Sequence, residues 1–122
     1  MEHNAALVIF GASGDLTRRK LIPSLYKLFI KGRLPENLKI IGFARREWDD
    51  AHFRGLLKEG VQQFTKGQYD GEKWSKFEHR LQYFRGNLTV PDDFHRLKQH
   101  LLDNYGEQCR HYFYLATSPK FF

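Results

Sequence analysis

A chain of 122 residues holds one domain at most, and its 41% hydrophobic and 16% aromatic content excludes a disordered polypeptide. Lys and Arg number 20 against 14 Asp and Glu, a net charge of +6 that points to nucleic acid, a phosphorylated cofactor or a phosphorylated substrate, or else to a surface that only aids solubility. The lone Cys109 excludes an intrachain disulfide or cysteine zinc cluster, and the short apolar run behind a polar opening excludes a signal peptide or membrane span, so a soluble cytoplasmic protein is expected.

Leu7, Val8, Ile9 and Phe10 form an unbroken apolar run, which predicts a strand buried on both faces. Gly11-Ala12-Ser13-Gly14 follows, a turn whose glycines let the main chain bend sharply and approach a ligand closely. Residues 16–30 carry a helical pattern with Leu21, Leu25, Leu28 and Phe29 expected toward the sheet. A bend is expected at Pro23, whose ring and missing N–H disfavour a helix interior. The turn signal Gly32-Arg33-Leu34-Pro35 precedes a second strand at 39–44.

Phe53, Leu57, Val61 and Phe64 then mark one face of a helix behind the candidate caps Asp49 and Asp50. Residues 73–80 predict a short extra helix, and the mixed pattern of 81–88 predicts a strand nearer the sheet edge. Phe94, Leu97, Leu101 and Tyr105 form a further helical face after Pro91, a residue suited to the first helical position. A fourth strand is expected at 111–116. Alternating strands and helices predict an α/β fold, a Rossmann-like doubly wound parallel sheet with about four strands in residues 1–122. A complete sheet of this kind has about six, so the chain is expected to be a fragment of a larger domain.

The chemistry concentrates at strand ends. Main-chain N–H groups and the positive dipole end of the helix after Gly14 suit a phosphate. The spacing Gly11-x-x-Gly14 is not G-x-G-x-x-G, lacks the G-K-[ST] of a Walker loop, and does not place Ser13 in a nucleophile elbow. From spacing alone a tight turn without a ligand remains the lesser alternative, and the position after the first strand of an α/β chain favours the nucleotide reading. The second strand ends in Ala44-Arg45-Arg46, where an NAD-specific fold places an acid on the ribose. Two arginines there suit the 2′-phosphate of NADP, unless they are solvated surface charges.

Arg18-Arg19-Lys20 oppose the helix dipole at the end that would meet an anion. The six histidines form no metal or catalytic motif, and Asp92-Asp93 reads as helix N-terminal acid. Two rival readings stand beside the dinucleotide one. Tyr69 and Lys73 have the Tyr-x-x-x-Lys spacing of extended short-chain NADP oxidoreductases, and the basic charge permits a nucleic-acid-binding module, though no RRM or KH signature occurs.

The block Gly11-Ala12-Ser13-Gly14-Asp15-Leu16-Thr17-Arg18-Arg19-Lys20-Leu21-Ile22-Pro23 resembles the cofactor signature of the glucose-6-phosphate dehydrogenase family. Ile41-Gly42-Phe43-Ala44-Arg45 and Phe113-Tyr114-Leu115-Ala116 follow in the family's order and at similar separations. The resemblance implies an NADP-dependent oxidation of glucose 6-phosphate to 6-phosphogluconolactone by a homo-oligomeric cytoplasmic enzyme without nucleic-acid or membrane partners. It implies that Gly11, Ala12, Ser13, Gly14, Asp15, Leu16, Thr17 and Arg18 form the diphosphate loop and that Arg45 contacts the 2′-phosphate. Asn87 and Leu88 align with a cofactor-adjacent turn that more often begins with aspartate, and Ala116 and Phe122 with the nicotinamide side. Lys20 is implied to reach toward the sugar phosphate, and Thr17 stands where the family commonly has alanine. The family's E-K-P-F-G and R-I-D-H-Y-L-G-K-E segments, the latter bearing the catalytic histidine, have no counterpart in these residues. No catalytic residue and no metal is therefore assigned, and the chain is expected to be the N-terminal cofactor-binding part of the enzyme, inactive alone.

Overall fold

The unbroken apolar runs become the two central strands of the sheet, because only a strand covered on both faces buries every side chain it carries. In the computed structural model, which describes residues 4–116, β1 (Ala5–Phe10) and β2 (Leu38–Ala44) lie side by side. β3 (Leu81–Arg85) and β4 (Arg110–Leu115) flank them, in the order β3-β2-β1-β4 with every pairing parallel. This is one half and the first crossover of a doubly wound sheet.

The helices divide between the two faces. Ile9, Leu38 and Ile40 point toward α1 (Ile22–Ile30), α2 (Asp50–Phe64) and α3 (Gly71–Phe77), where they join Tyr26, Phe53, Leu57 and Phe77 in one core. Ala6, Val8, Phe10, Ile41 and Phe43 point the other way and meet Leu97 and Leu101 of α4 (Pro91–Tyr105). Asp49 caps α2 by accepting from the His52 N–H at 2.8 Å, and Pro91 occupies the first turn of α4. The edge strand β3 is tied down by α2. Arg54 donates twice to the Leu81 carbonyl, and Asp50 accepts from the Tyr83 N–H at 2.7 Å.

Two expectations are corrected. The helix over 16–30 is not continuous α: residues Thr17–Leu21 form a π turn, in which the Ile22 N–H donates to the Thr17 carbonyl, and α1 starts only afterwards. Pro23 lacks a donor and its ring crowds the carbonyl four residues back, so the departure lies in the turn before it. The extra residue rotates the register. Ile22 and Tyr26 are fully buried, whereas Leu28, expected to face the sheet, is 39% exposed. The third strand ends at Arg85 rather than running through Leu88: the Gly86 N–H makes a last bond to β2, donating to the Ala44 carbonyl at 2.8 Å, and the Asn87 N–H is then taken by the Asp93 carboxylate at 2.8 Å.

The π turn carries a cost of its own. Thr17 is wholly buried and its Oγ1 has no hydrogen-bond partner among the described residues. Thr17→Val keeps the shape and removes the orphan hydroxyl, and is expected to stabilise the fold by about 1 kcal/mol. An unchanged or lowered melting temperature would show that the hydroxyl is satisfied.

Candidate functional site

The carboxyl ends of β1, β2 and β3 open into a cavity of about 670 Å³, beside the point where strand order reverses between β1 and β4. Open α/β sheets bind ligands at this place. One wall is the turn after β1. Gly11 stands at φ +79°, a left-handed conformation that glycine adopts at little cost because it has no Cβ. The N–H groups of Gly11 and Ala12 both donate to the Phe43 carbonyl, at 2.9 and 3.3 Å, and the Gly14 N–H donates to the Gly11 carbonyl at 3.0 Å. These bonds clamp the turn onto the end of β2.

A Cβ on Gly14 would lie 3.2 Å from the Gly11 carbonyl and 3.9 Å from that of Ala116. The wall is therefore bare main chain, followed at once by the first helical residues, Asp15 and Leu16, whose N–H groups have no partner within a helix. Such a cradle fits a diphosphate. Phe43 and Ala44 line the cavity, residues 86–89 form its opposite wall, and Ala116 closes it beside β4, with its N–H donating to the Phe10 carbonyl at 2.8 Å.

Arg45 stands exposed at the tip of β2, at the rim of this cavity, and its guanidinium makes no ion pair among the described residues. The segment behind it is held: Tyr83 donates its hydroxyl to the Arg46 carbonyl at 2.8 Å and packs at a tilt against the Trp48 ring. Burial pushes the Tyr83 phenol above its ordinary pKa, which keeps it a donor. Asn87 shapes the facing turn, its Oδ1 accepting from both the N–H and the hydroxyl of Thr89 at 2.9 and 2.7 Å. An aspartate oxygen serves the same turn, so asparagine is a conservative occupant.

Of the residues singled out by sequence, the structure thus brings Gly11, Ser13, Gly14, Arg45, Asn87, Leu88 and Ala116 to one cavity. Ala12 is buried beneath the turn, and Leu16 is 40% exposed outside the lining. Asp15 pairs with Arg19 at 2.9 Å and Arg18 at 3.6 Å, and the Arg19 hydrogen bond first of all holds its carboxyl below the usual range. Arg18 and Arg19 lie over the Phe64 ring, 5.5 and 5.8 Å from its centre, so both turn toward α2. Thr17 faces the core, Lys20 is exposed on the π turn away from the lining, and Phe122 lies outside the described residues.

Sequence reasoning missed Phe43, Ala44, Gly86 and Thr89 in the lining. A Cβ on Gly86 would come within 2.5 Å of the Phe43 ring, so glycine here admits the ring that lines the cavity. The glycine at the end of a strand was the available signal.

The family model "Glucose-6-phosphate dehydrogenase, NAD binding domain" matches residues 8–122. The chain is 36% identical across its length to glucose-6-phosphate 1-dehydrogenase of Schizosaccharomyces pombe, covering 25% of that protein. It is 43% identical over 95% of its length to the Chlamydia pneumoniae protein of the same name, covering 23% of it. A solved glucose-6-phosphate dehydrogenase in complex with its substrate glucose 6-phosphate superposes on 99% of this chain and 26% of that one, with a TM-score of 0.85 and 30% identity. The chain thus spans about a quarter of the length of the relatives it matches. Neither rival reading is favoured: Tyr69 packs on Tyr26, and Lys73 lies in the first turn of α3, both away from the cavity lining.

Proposed function

The chain belongs to the glucose-6-phosphate dehydrogenase family through its NAD binding domain, and on that premise we propose that it is the NADP-binding part of an enzyme oxidising glucose 6-phosphate to 6-phosphogluconolactone. The observation that carries the proposal is the juxtaposition, at one cavity, of a bare glycine turn and the Arg45 guanidinium, which has no ion pair among the described residues. Bound NADP supplies the ring that accepts the hydride. Residues 11–18 form the diphosphate loop, in which Gly11, Ala12 and Gly14 hold the turn in shape and the N–H groups at the helix start, Asp15 and Leu16, face the anion, and Arg45 forks onto the 2′-phosphate. Ala116 borders the nicotinamide side, and Lys20 serves the sugar phosphate.

The base that takes the C1 hydroxyl proton belongs, in this proposal, to a part of the enzyme beyond residues 1–122. The exposed outer side of β4, where Tyr112, Phe113, Tyr114 and Leu115 are 42–51% accessible, supports a sheet that continues past it. The proposal extends to a homo-oligomeric cytoplasmic enzyme. Among the described residues no helix is long and apolar enough to cross a membrane.

The test is calorimetry of the purified chain with NADP, followed by a spectrophotometric assay with glucose 6-phosphate. Saturable NADP binding without NADPH formation is expected. Absence of binding would remove the cofactor reading, and steady NADPH production would remove the claim that the chain is inactive alone.

A further inference from the structure

A second cavity, of about 470 Å³, shares Arg45, Gly86 and Asn87 with the first and is otherwise lined by Arg85, Asp93 and Arg96. Three guanidinium groups from three elements, the ends of β2 and β3 and the second turn of α4, therefore border one space. They are linked through the main chain. Arg85 Nε donates to the Arg45 carbonyl at 3.3 Å, and Arg96 Nη2 donates to the Arg85 carbonyl at 3.4 Å.

Their counter-charges differ in kind. Asp93 holds Arg96 at 2.8 Å and also accepts from the Asn87 N–H, so it orients both Arg96 and the turn; the Arg96 hydrogen bond is the main reason its carboxyl lies below the usual range. Arg96 is further fixed over the Phe84 ring, 5.2 Å from its centre. The counter-charge of Arg85, by contrast, lies at the surface: Glu47 pairs with it at 3.0 Å, with both side chains more than half exposed. Such a pair is weak and readily exchanged for a better anion. With Arg45 unpaired among the described residues, the cavity keeps an excess of positive charge that an entering phosphate would relieve.

We propose that this three-arginine cavity receives the 2′-phosphate of NADP, with Arg85 and Arg96 as further specificity-determining residues beside Arg45 and Glu47 as the carboxylate that occupies Arg85 until the cofactor arrives. The inference rests on the NADP reading above and adds residues to it. Arg85 exchanges Glu47 for a phosphate oxygen. Arg96, already oriented by Asp93 and Phe84, adds charge at little ordering cost.

Titration of NADP and NAD into the unmodified protein and into Arg85→Gln, Arg96→Gln, Glu47→Gln and Arg110→Gln variants tests it. Arg110 stands at the far end of β4 and controls for net charge. Arg85→Gln and Arg96→Gln are expected to weaken NADP by about ten-fold each and leave NAD unchanged. Glu47→Gln is expected to tighten NADP by about two- to five-fold through loss of the competing carboxylate. Arg110→Gln is expected to change neither cofactor.

NADP affinity unaltered in all three cavity variants, or lost equally with NAD or with Arg110→Gln, overturns the inference while leaving the cofactor reading intact. Failure of the unmodified protein to bind NADP overturns both. Should Arg96→Gln unfold the first turn of α4, the exposed Glu47–Arg85 pair still decides the matter through its two opposite signs.

Discussion

Arg45→Ala is expected to weaken NADP binding by about 1.5–3 kcal/mol, the range for hydrogen bonds to charged groups, and to leave NAD binding almost unchanged. The Arg45 side chain has no internal partner among the described residues. Its guanidinium forms no ion pair among the described residues and is exposed, so alanine breaks no internal contact and little fold stability is at stake. The position is nevertheless fixed. Arg45 directly follows β2, whose Phe43 and Ala44 are buried, and the next carbonyl is held by the Tyr83 hydroxyl. A long cation on a rigid base is the arrangement in which least entropy is lost on meeting an anion. Arg45→Lys should recover only part of the affinity, since a point charge cannot fork onto two phosphate oxygens. Calorimetry with both cofactors measures the effect, and equal losses for NADP and NAD would mean that Arg45 does not read the 2′-phosphate.

The parts of this molecule that were legible in the sequence are those decided locally. Leu7 to Phe10 and residues 39–44 read as buried strands because both of their faces are covered, and the edge position of β3 showed in its mixed pattern. The glycine turn was visible because Gly11 needs its positive φ whatever the rest of the chain does. Where a side chain points within the first turn was not legible. Arg18, Arg19 and Thr17 follow the π turn, and its register depends on how α2 seats against it. A strict α register had placed Leu28 toward the sheet; the inserted residue brought Ile22 and Tyr26 there instead. Arg85 and Arg96 escaped notice for another reason. They are distant from Arg45 in sequence, and only the parallel pairing of Ala44 with Arg85 sets the two strand ends side by side.

That seating of α2 on the π turn supplies the largest expected stability effect, and one whose sign runs against helix propensity. α2 contains two interior glycines, Gly55 and Gly60. Nothing lies within 4 Å of a Cβ built on Gly55, so Gly55→Ala should stabilise by about 0.5–1 kcal/mol as an ordinary helix substitution. A Cβ on Gly60 would stand 2.5 Å from the Arg18 carbonyl oxygen and 2.8 Å from Arg18 Cγ. The side-chain carbon can swing away, but the carbonyl belongs to the main chain of the π turn. α2 must therefore retreat or the turn must shift, and Gly60→Ala should destabilise by about 2 kcal/mol despite its better helix propensity.

Thermal melts of the two variants beside the unmodified protein separate the cases, with midpoints moving in opposite directions. The turn also leads directly out of the glycine loop, so a displaced Arg18 carbonyl disturbs the cradle itself. Gly60→Ala should accordingly weaken NADP and NAD by equal factors, because both carry the diphosphate that the cradle holds, in contrast to the selective loss at Arg45. A Gly60→Ala protein as stable as the unmodified one would show that α2 and the π turn are not in close contact. Cofactor binding left intact in a destabilised variant would show that the loop keeps its shape independently of the helix packed behind it.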